Sequence, residues 1–168
     1  MNSALLINIA RFILLIALQI LLFNNINFLG YINPYPYILF IILYPANSNK
    51  TGLLVASFLL GLTVDMFCNS GGVHAAAILI LAFVRPSIFK FSFGLSYEYQ
   101  TVKIADKISP ERITLLLLAI FIHHFVMFFF EYFALSYILE ILIKTAISSV
   151  FTILLSILII YLVKPNRR

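Results

Sequence analysis

Long apolar runs with short polar breaks fill nearly the whole chain, and that continuity constrains the fold more than any single residue does. Apolar residues make up 63% of the sequence and charged ones 10%, against about 45–50% and about 25% in soluble domains. Mean hydropathy is +1.10. A chain with so little polar surface cannot face water on all sides, so the sequence predicts an all-α integral membrane protein. At about 28 residues for a span and its connection, the chain has room for a bundle of about six transmembrane helices. The longest polar interval, about twenty residues, is too short to bury the core of a soluble catalytic domain.

The runs predict spans over 4–23, 34–46, 52–68, 73–89, 112–134 and 137–163, all in one membrane domain covering 1–168, with a cytoplasmic link over 90–111. The first has no small-residue cleavage site and is followed by further spans, so it reads as a retained helix that extends to 23 or slides toward 30. The second is short and carries Pro34, Pro36 and Pro45. It spans if the bundle shields its ends, with a re-entrant hairpin as the alternative. The sixth, ~27 residues and ~40 Å long against a ~30 Å hydrocarbon core, must tilt or protrude.

Charge placement sets the expected orientation. Apart from Arg11 and Lys144, which fall inside predicted spans, every Lys and Arg lies on the side away from the connections after spans one, three and five. The positive-inside rule then puts both termini in the cytoplasm. The net charge of +5 therefore belongs to a membrane surface rather than to nucleic acid. With no Trp in the chain, Tyr31, Tyr35, Tyr37, Tyr132 and Tyr137 supply the outer aromatic belt, and Tyr44 and Tyr161 the inner one. Cys68, the single cysteine, excludes an internal disulfide and a cysteine-built metal site.

Within the link, Phe91, Phe93, Leu95, Tyr97 and Tyr99 alternate with Ser92, Gly94, Ser96 and Glu98. A period of two predicts an extended segment with one apolar face, lying along the lipid interface or pairing as an edge with a partner's strand. Ser109, Pro110 and Glu111 then supply a cap, a first-turn proline and an acid for the start of the fifth helix.

Charged side chains are expensive at the bilayer centre, about 2.5–3.5 kcal/mol each on insertion scales, so Arg11, Asp65, Glu131, Glu140 and Lys144 need partners or an interface. Glu140 and Lys144 are spaced for an ion pair on one helix face. The same face continues through Ser148, Thr152 and Ser156, which reads as packing glue, with a hydrophilic conduction path as the alternative. Ser57, Gly61 and Asp65 recur every four residues and predict a helix-packing seam ending in a carboxylate. Asp65 is expected to accept hydrogen bonds from the amides of the Ser70, Gly71, Gly72 turn or from His74, with ligand or ion binding as the functional alternative. His123, His124 and Glu131 share the fifth span, but the spacing misses the His-Glu-x-x-His metal pattern. They read as neutral histidines bonded between helices. Arg11 either snorkels to headgroups or marks the start of the first helix, and the second option would move Asn24, Asn25 and Asn27 into the outer leaflet. Nucleophile motifs and phosphate-cradling glycine loops are missing, so the sequence predicts no enzymatic activity and no cofactor.

At the third-to-fourth hairpin the chain reads Gly61-Leu-Thr-Val-Asp65-Met-Phe-Cys-Asn-Ser-Gly71-Gly72-Val-His74-Ala75-Ala76. This resembles the signature of the rod shape-determining protein MreD family: a Gly, an Asp four on, a turn with Gly, then His-Ala, matched by Gly61, Asp65, Gly72, His74 and Ala75. Size, span layout and the approach from Phe28 to Pro34 extend the resemblance over most of the chain. The resemblance implies a non-catalytic scaffold of the cell-elongation machinery in the bacterial inner membrane, with an MreC-type single-span protein, the MreB cytoskeleton and peptidoglycan synthases as partners. It also implies a fold similar to the substrate-binding subunits of energy-coupling factor transporters. Departures from that outline are expected in the short second span and the long link. Partner binding or helix packing falls to Ser57, Gly61, Asp65, Gly72 and His74. The rival reading is a small-solute-binding transport subunit with an outward pocket lined by Asp65, His74, Glu131 and Lys144.

Overall fold

The computed structural model describes residues 3–28, 32–45, 49–94 and 109–163. Its long helices are α1 (Ser3–Leu21), α3 (Lys50–Cys68), α4 (Val73–Phe93), α5 (Pro110–Tyr132) and α6 (Ile138–Val163), with a five-residue α2 (Leu39–Leu43) between the first two. Five helices are long and apolar enough to cross a membrane. Burial is inverted relative to a water-soluble protein. Leu5, Ile13, Phe58, Met66, Phe83 and Leu154 are exposed, while Gln19, Ser57, Asp65, His123, His124 and Thr152 are buried. Only a solvent as apolar as the exposed leucines makes that partition favourable, so the chain is a multi-pass, all-α membrane protein.

The second predicted span differs most from expectation. Its helical part is a 3-10 turn over Pro36–Ile38 followed by α2, eight residues and about 12 Å of α-type rise, too short to cross the bilayer. The segment is nevertheless the centre of the molecule. Tyr37, Ile38, Leu39, Ile41 and Ile42 are at most 1% exposed, and the segment packs against α1, α4, α5 and α6. Proline explains the shortness, since Pro34 and Pro36 offer no N–H to a helical ladder and bias the residues before them toward extended backbone.

Side chains of the surrounding helices satisfy the backbone groups this leaves open. Gln19 Nε2 donates to the Pro34 carbonyl at 3.3 Å, and the Tyr35 N–H donates to Thr152 Oγ1 at 3.1 Å. At the other end Arg11 Nη1 donates to the Leu43 carbonyl at 3.1 Å and Arg85 Nη2 to the Tyr44 carbonyl. Irregular backbone survives at membrane depth only where protein encloses it in this way. Arg11 accordingly does not mark a helix start: α1 begins at Ser3, and the guanidinium is turned inward onto Leu43.

From Gln19 to Arg11 the segment runs antiparallel to α1. Asn24 after α1 bonds Cys68 at the end of α3, and residues from both ends surround one cavity with the start of α4 and the end of α5. Thus α1, α3 and α5 run one way, α4 and α6 the other, and the buried segment returns the chain alongside α1.

The link departs from expectation at its start. Phe91, Ser92 and Phe93 are the last turn of α4, not the first residues of an extended strand, and the helix stops at Gly94 with φ +73. Phe-Ser-Phe mimics a period of two while the helical ladder simply continues to a glycine able to adopt positive φ. Leu95, Tyr97 and Tyr99 lie outside the described residues. Helix α5 begins at Pro110 with Ser109 in extended backbone before it, although no Ser109 side-chain cap forms.

Candidate functional site

The hairpin between α3 and α4 is built by several of its residues acting together. A Cβ added to Gly61 would lie 2.5 Å from the Ala75 Cα and 2.7 Å from its amide nitrogen, so the two backbones touch and only glycine fits. Asn69 closes α3 in the left-handed region (φ 53), and Gly71 (φ 66) and Gly72 (φ 98) carry the chain into α4. Gly72 sits at the N-cap without a side chain to offer. Asp65, one helix away, does the capping instead. Its carboxylate accepts from the His74 N–H at 3.0 Å, the Ala75 N–H at 2.8 Å, the Ser70 hydroxyl at 2.5 Å and His74 Nδ1 at 3.0 Å. The donors are the second and third helical amides that a cap ordinarily serves. Of the two donor sets expected for Asp65, the turn amides do not reach the carboxylate; His74 does, and Ala75 and the Ser70 hydroxyl join it. Ser57, one step down the seam, is buried and bonds the Leu53 carbonyl.

Because a carboxylate only accepts, Nδ1 of His74 carries the proton and Nε2 of the neutral ring is an acceptor. That Nε2 is buried and has no partner. Ser70 stands on the carboxylate edge of the ring, 2.9 Å from Nδ1, not at Nε2 where a hydrolytic triad holds its nucleophile.

All three histidines of the chain gather around Tyr35 and Tyr37 of the buried segment. Ring centroids of Tyr35 lie 5.5 Å from His74 and 5.4 Å from His124, and Tyr37 lies 5.3 Å from His123. The Tyr37 hydroxyl and His123 Nε2 are 2.7 Å apart. His124 Nδ1 donates to the Ile120 carbonyl at 2.8 Å, which leaves its Nε2 to accept from Thr152 Oγ1 at 3.2 Å. Thr152 in turn accepts the Tyr35 N–H, so α5, α6 and the central segment are tied by one directed chain of hydrogen bonds. Among the described residues no group of three His, Cys, Asp or Glu is placed to hold a metal ion.

Above this cluster opens a half-open cavity of about 660 Å³. His74, Ser70, Tyr35 and Glu131 contribute polar groups, Asn24, Asn25 and Asn33 the amides, and Phe67, Met127 and Phe130 the apolar wall. Of the four residues expected to line an outward pocket, His74 and Glu131 do so. Asp65 is withdrawn beneath as the cap, and Lys144 is engaged elsewhere. Its ammonium bonds the Tyr132 hydroxyl and lies 3.7 Å from Glu140, while Tyr132 donates to Glu140 at 2.5 Å. The expected Glu140–Lys144 pair is thus bridged by a tyrosine that sequence reading assigned only to the aromatic belt. Nothing in the spacing marks Gln19, Tyr35, Tyr37 or Arg85 as site residues, and Asn24, Asn25 and Asn33 read only as part of the connection after the first span. A lone polar residue in the apolar run from Phe12 to Phe23 is the local signal for the first of them. Comparison with protein-family models, with curated proteins and with solved structures finds no match.

Proposed function

We propose that this chain is a non-catalytic membrane scaffold of the MreD type, holding an MreC-type single-span protein and helping couple the MreB cytoskeleton to peptidoglycan synthesis in the bacterial inner membrane. One observation carries the reading: Gly61, Asp65 and Gly72 of the signature hairpin each shape its packing. Gly61 admits the Ala75 backbone, Asp65 caps α4, and Gly72 turns the chain at φ +98. A motif used in this way preserves a shape, which is what a scaffold offers its partners. Lys and Arg placement supports cytoplasmic termini, and five long helices around a buried segment are compatible with a fold like that of energy-coupling factor substrate-binding subunits. The test is co-purification of the full chain with the MreC-type protein of the same cells, together with cell shape after depletion. Retention of that partner and loss of rod shape are expected. Normal rods without the chain would overturn the reading.

A second reading, a small-solute-binding transport subunit, is favoured specifically by the cavity, whose size falls in the range of small-molecule sites. Uptake of a solute that depends on the chain, with cell shape unchanged, would select it.

A further inference from the structure

At the membrane face where α3 begins and α4 ends, two lysines stand beside apolar surface that only lipid can cover. Along α4, Phe83, Ser87 and Lys90 fall at steps of four and three on one exposed line, and Phe91 follows at 75% exposure, as great as that of Phe83. Rings so exposed belong in lipid. Because Phe91 lies beyond Lys90 toward the helix end, the Lys90 ammonium is held at the level of the phosphates rather than in bulk water. Arg85, by contrast, is turned inward onto the Tyr44 carbonyl. Lys50, also exposed, opens α3 at a matching height. Gly61 meets Ala75, and eleven residues back along α3 is Lys50, while eleven residues on along the antiparallel α4 is Pro86. Among the described residues neither lysine makes an ion pair or a side-chain hydrogen bond. The field of this face has one sign, since of the eleven Lys and Arg only Lys144 lies toward the opposite face, together with Asp65, Glu131 and Glu140 of the six carboxylates.

We propose that Lys50, Ser87 and Lys90 bind the phosphodiester of an anionic phospholipid whose acyl chains lie along Phe83 and the apolar face of α4. The lysines supply charge and the Ser87 hydroxyl a further donor. A zwitterionic headgroup presents the same phosphate with its own cation beside it and gains less from the two lysines. The site depends only on the placement of the chain in a bilayer, so its failure leaves both readings of function untouched.

The test titrates the full chain in detergent micelles with phosphatidylglycerol or phosphatidylcholine and reads the affinity for the first bound lipid by native mass spectrometry. Phosphatidylglycerol is expected to bind more tightly. Lys50→Gln and Lys90→Gln, both at exposed positions, should each weaken it about fivefold, the effect of one lysine near an anionic surface. Lys90→Arg should retain the parent affinity. Lys164→Gln, beyond the end of α6, which packs on α5 rather than on α4, should leave it nearly unchanged. Equal affinity for the two lipids, or an undiminished preference in either Lys50→Gln or Lys90→Gln, would overturn the proposal. So would an equal loss in Lys164→Gln, which would make the preference a property of the whole positive face.

Discussion

Asp65 and Gly61 act on the same neighbour from two directions, and their substitutions separate hydrogen bonding from space. Asp65→Leu removes the acceptor for two helical amides, the Ser70 hydroxyl and His74 Nδ1. A loss of about 2–4 kcal/mol is expected in the unfolding of the detergent-solubilised protein, although membrane insertion itself becomes easier. Asp65→Asn, which keeps one accepting oxygen, should fall between. An Asp65→Leu protein as stable as the parent would mean that the α4 amides find another cap. Gly61→Leu pushes a side chain into the Ala75 backbone and the Ile78 methyl, 2.7 Å from its Cβ. Backbone cannot rotate away as a side chain can, so the cost should exceed the about 1–3 kcal/mol typical of overpacking. A thermal midpoint unchanged by that substitution would remove the seam from the account.

At the scale of elements, the central segment depends on its neighbours for what a helix supplies internally. Its last carbonyls, at Leu43 and Tyr44, are held by guanidinium groups from α1 and α4. Arg11→Met and Arg85→Met should each cost about 1–2 kcal/mol by leaving a partly buried carbonyl without this donor. The distinguishing readout is local: hydrogen exchange at the amides of 37–43 should quicken in both variants before exchange in α3 or α5 does. Uniform quickening throughout the bundle would mean that the arginines support the whole fold equally. The same segment marks where sequence reading succeeds and where it stops. The Ser57, Gly61, Asp65 seam is legible because spacing along one helix decides which side chains share a face. A proline-rich apolar run between polar breaks has the composition of a span, and nothing local says that Gln19, Arg85 and Thr152 will complete its hydrogen bonds, since those contacts depend on how distant helices register. The end of α4 misleads for a related reason, with Gly94 stopping the helix only after Phe-Ser-Phe has imitated a strand.

For the whole molecule, the number of passes decides whether its described ends share a face of the membrane. Five long helices taken alone would leave the start of α1 and the end of α6 on opposite faces. The antiparallel run beside α1, from Pro34 at Gln19 to Leu43 at Arg11, returns the chain toward the start of α1 without a sixth long helix, and an even count depends on whether it completes a pass. Cys68 provides a natural probe of this, being exposed, unique in the sequence and part of the cavity wall. In sealed vesicles, a membrane-impermeant maleimide should reach Cys68 from one face only. Cysteines placed by Asn2→Cys and Asn166→Cys in a Cys68→Ser background should both react from the other face. If the two engineered positions respond from opposite faces, the central segment does not complete a pass, and the cavity and the chain ends can no longer be assigned to opposite sides. If they respond together and Cys68 responds with them, the cavity opens on the same side as the ends, and a polar pocket near Glu131 would be served from the face that carries the termini.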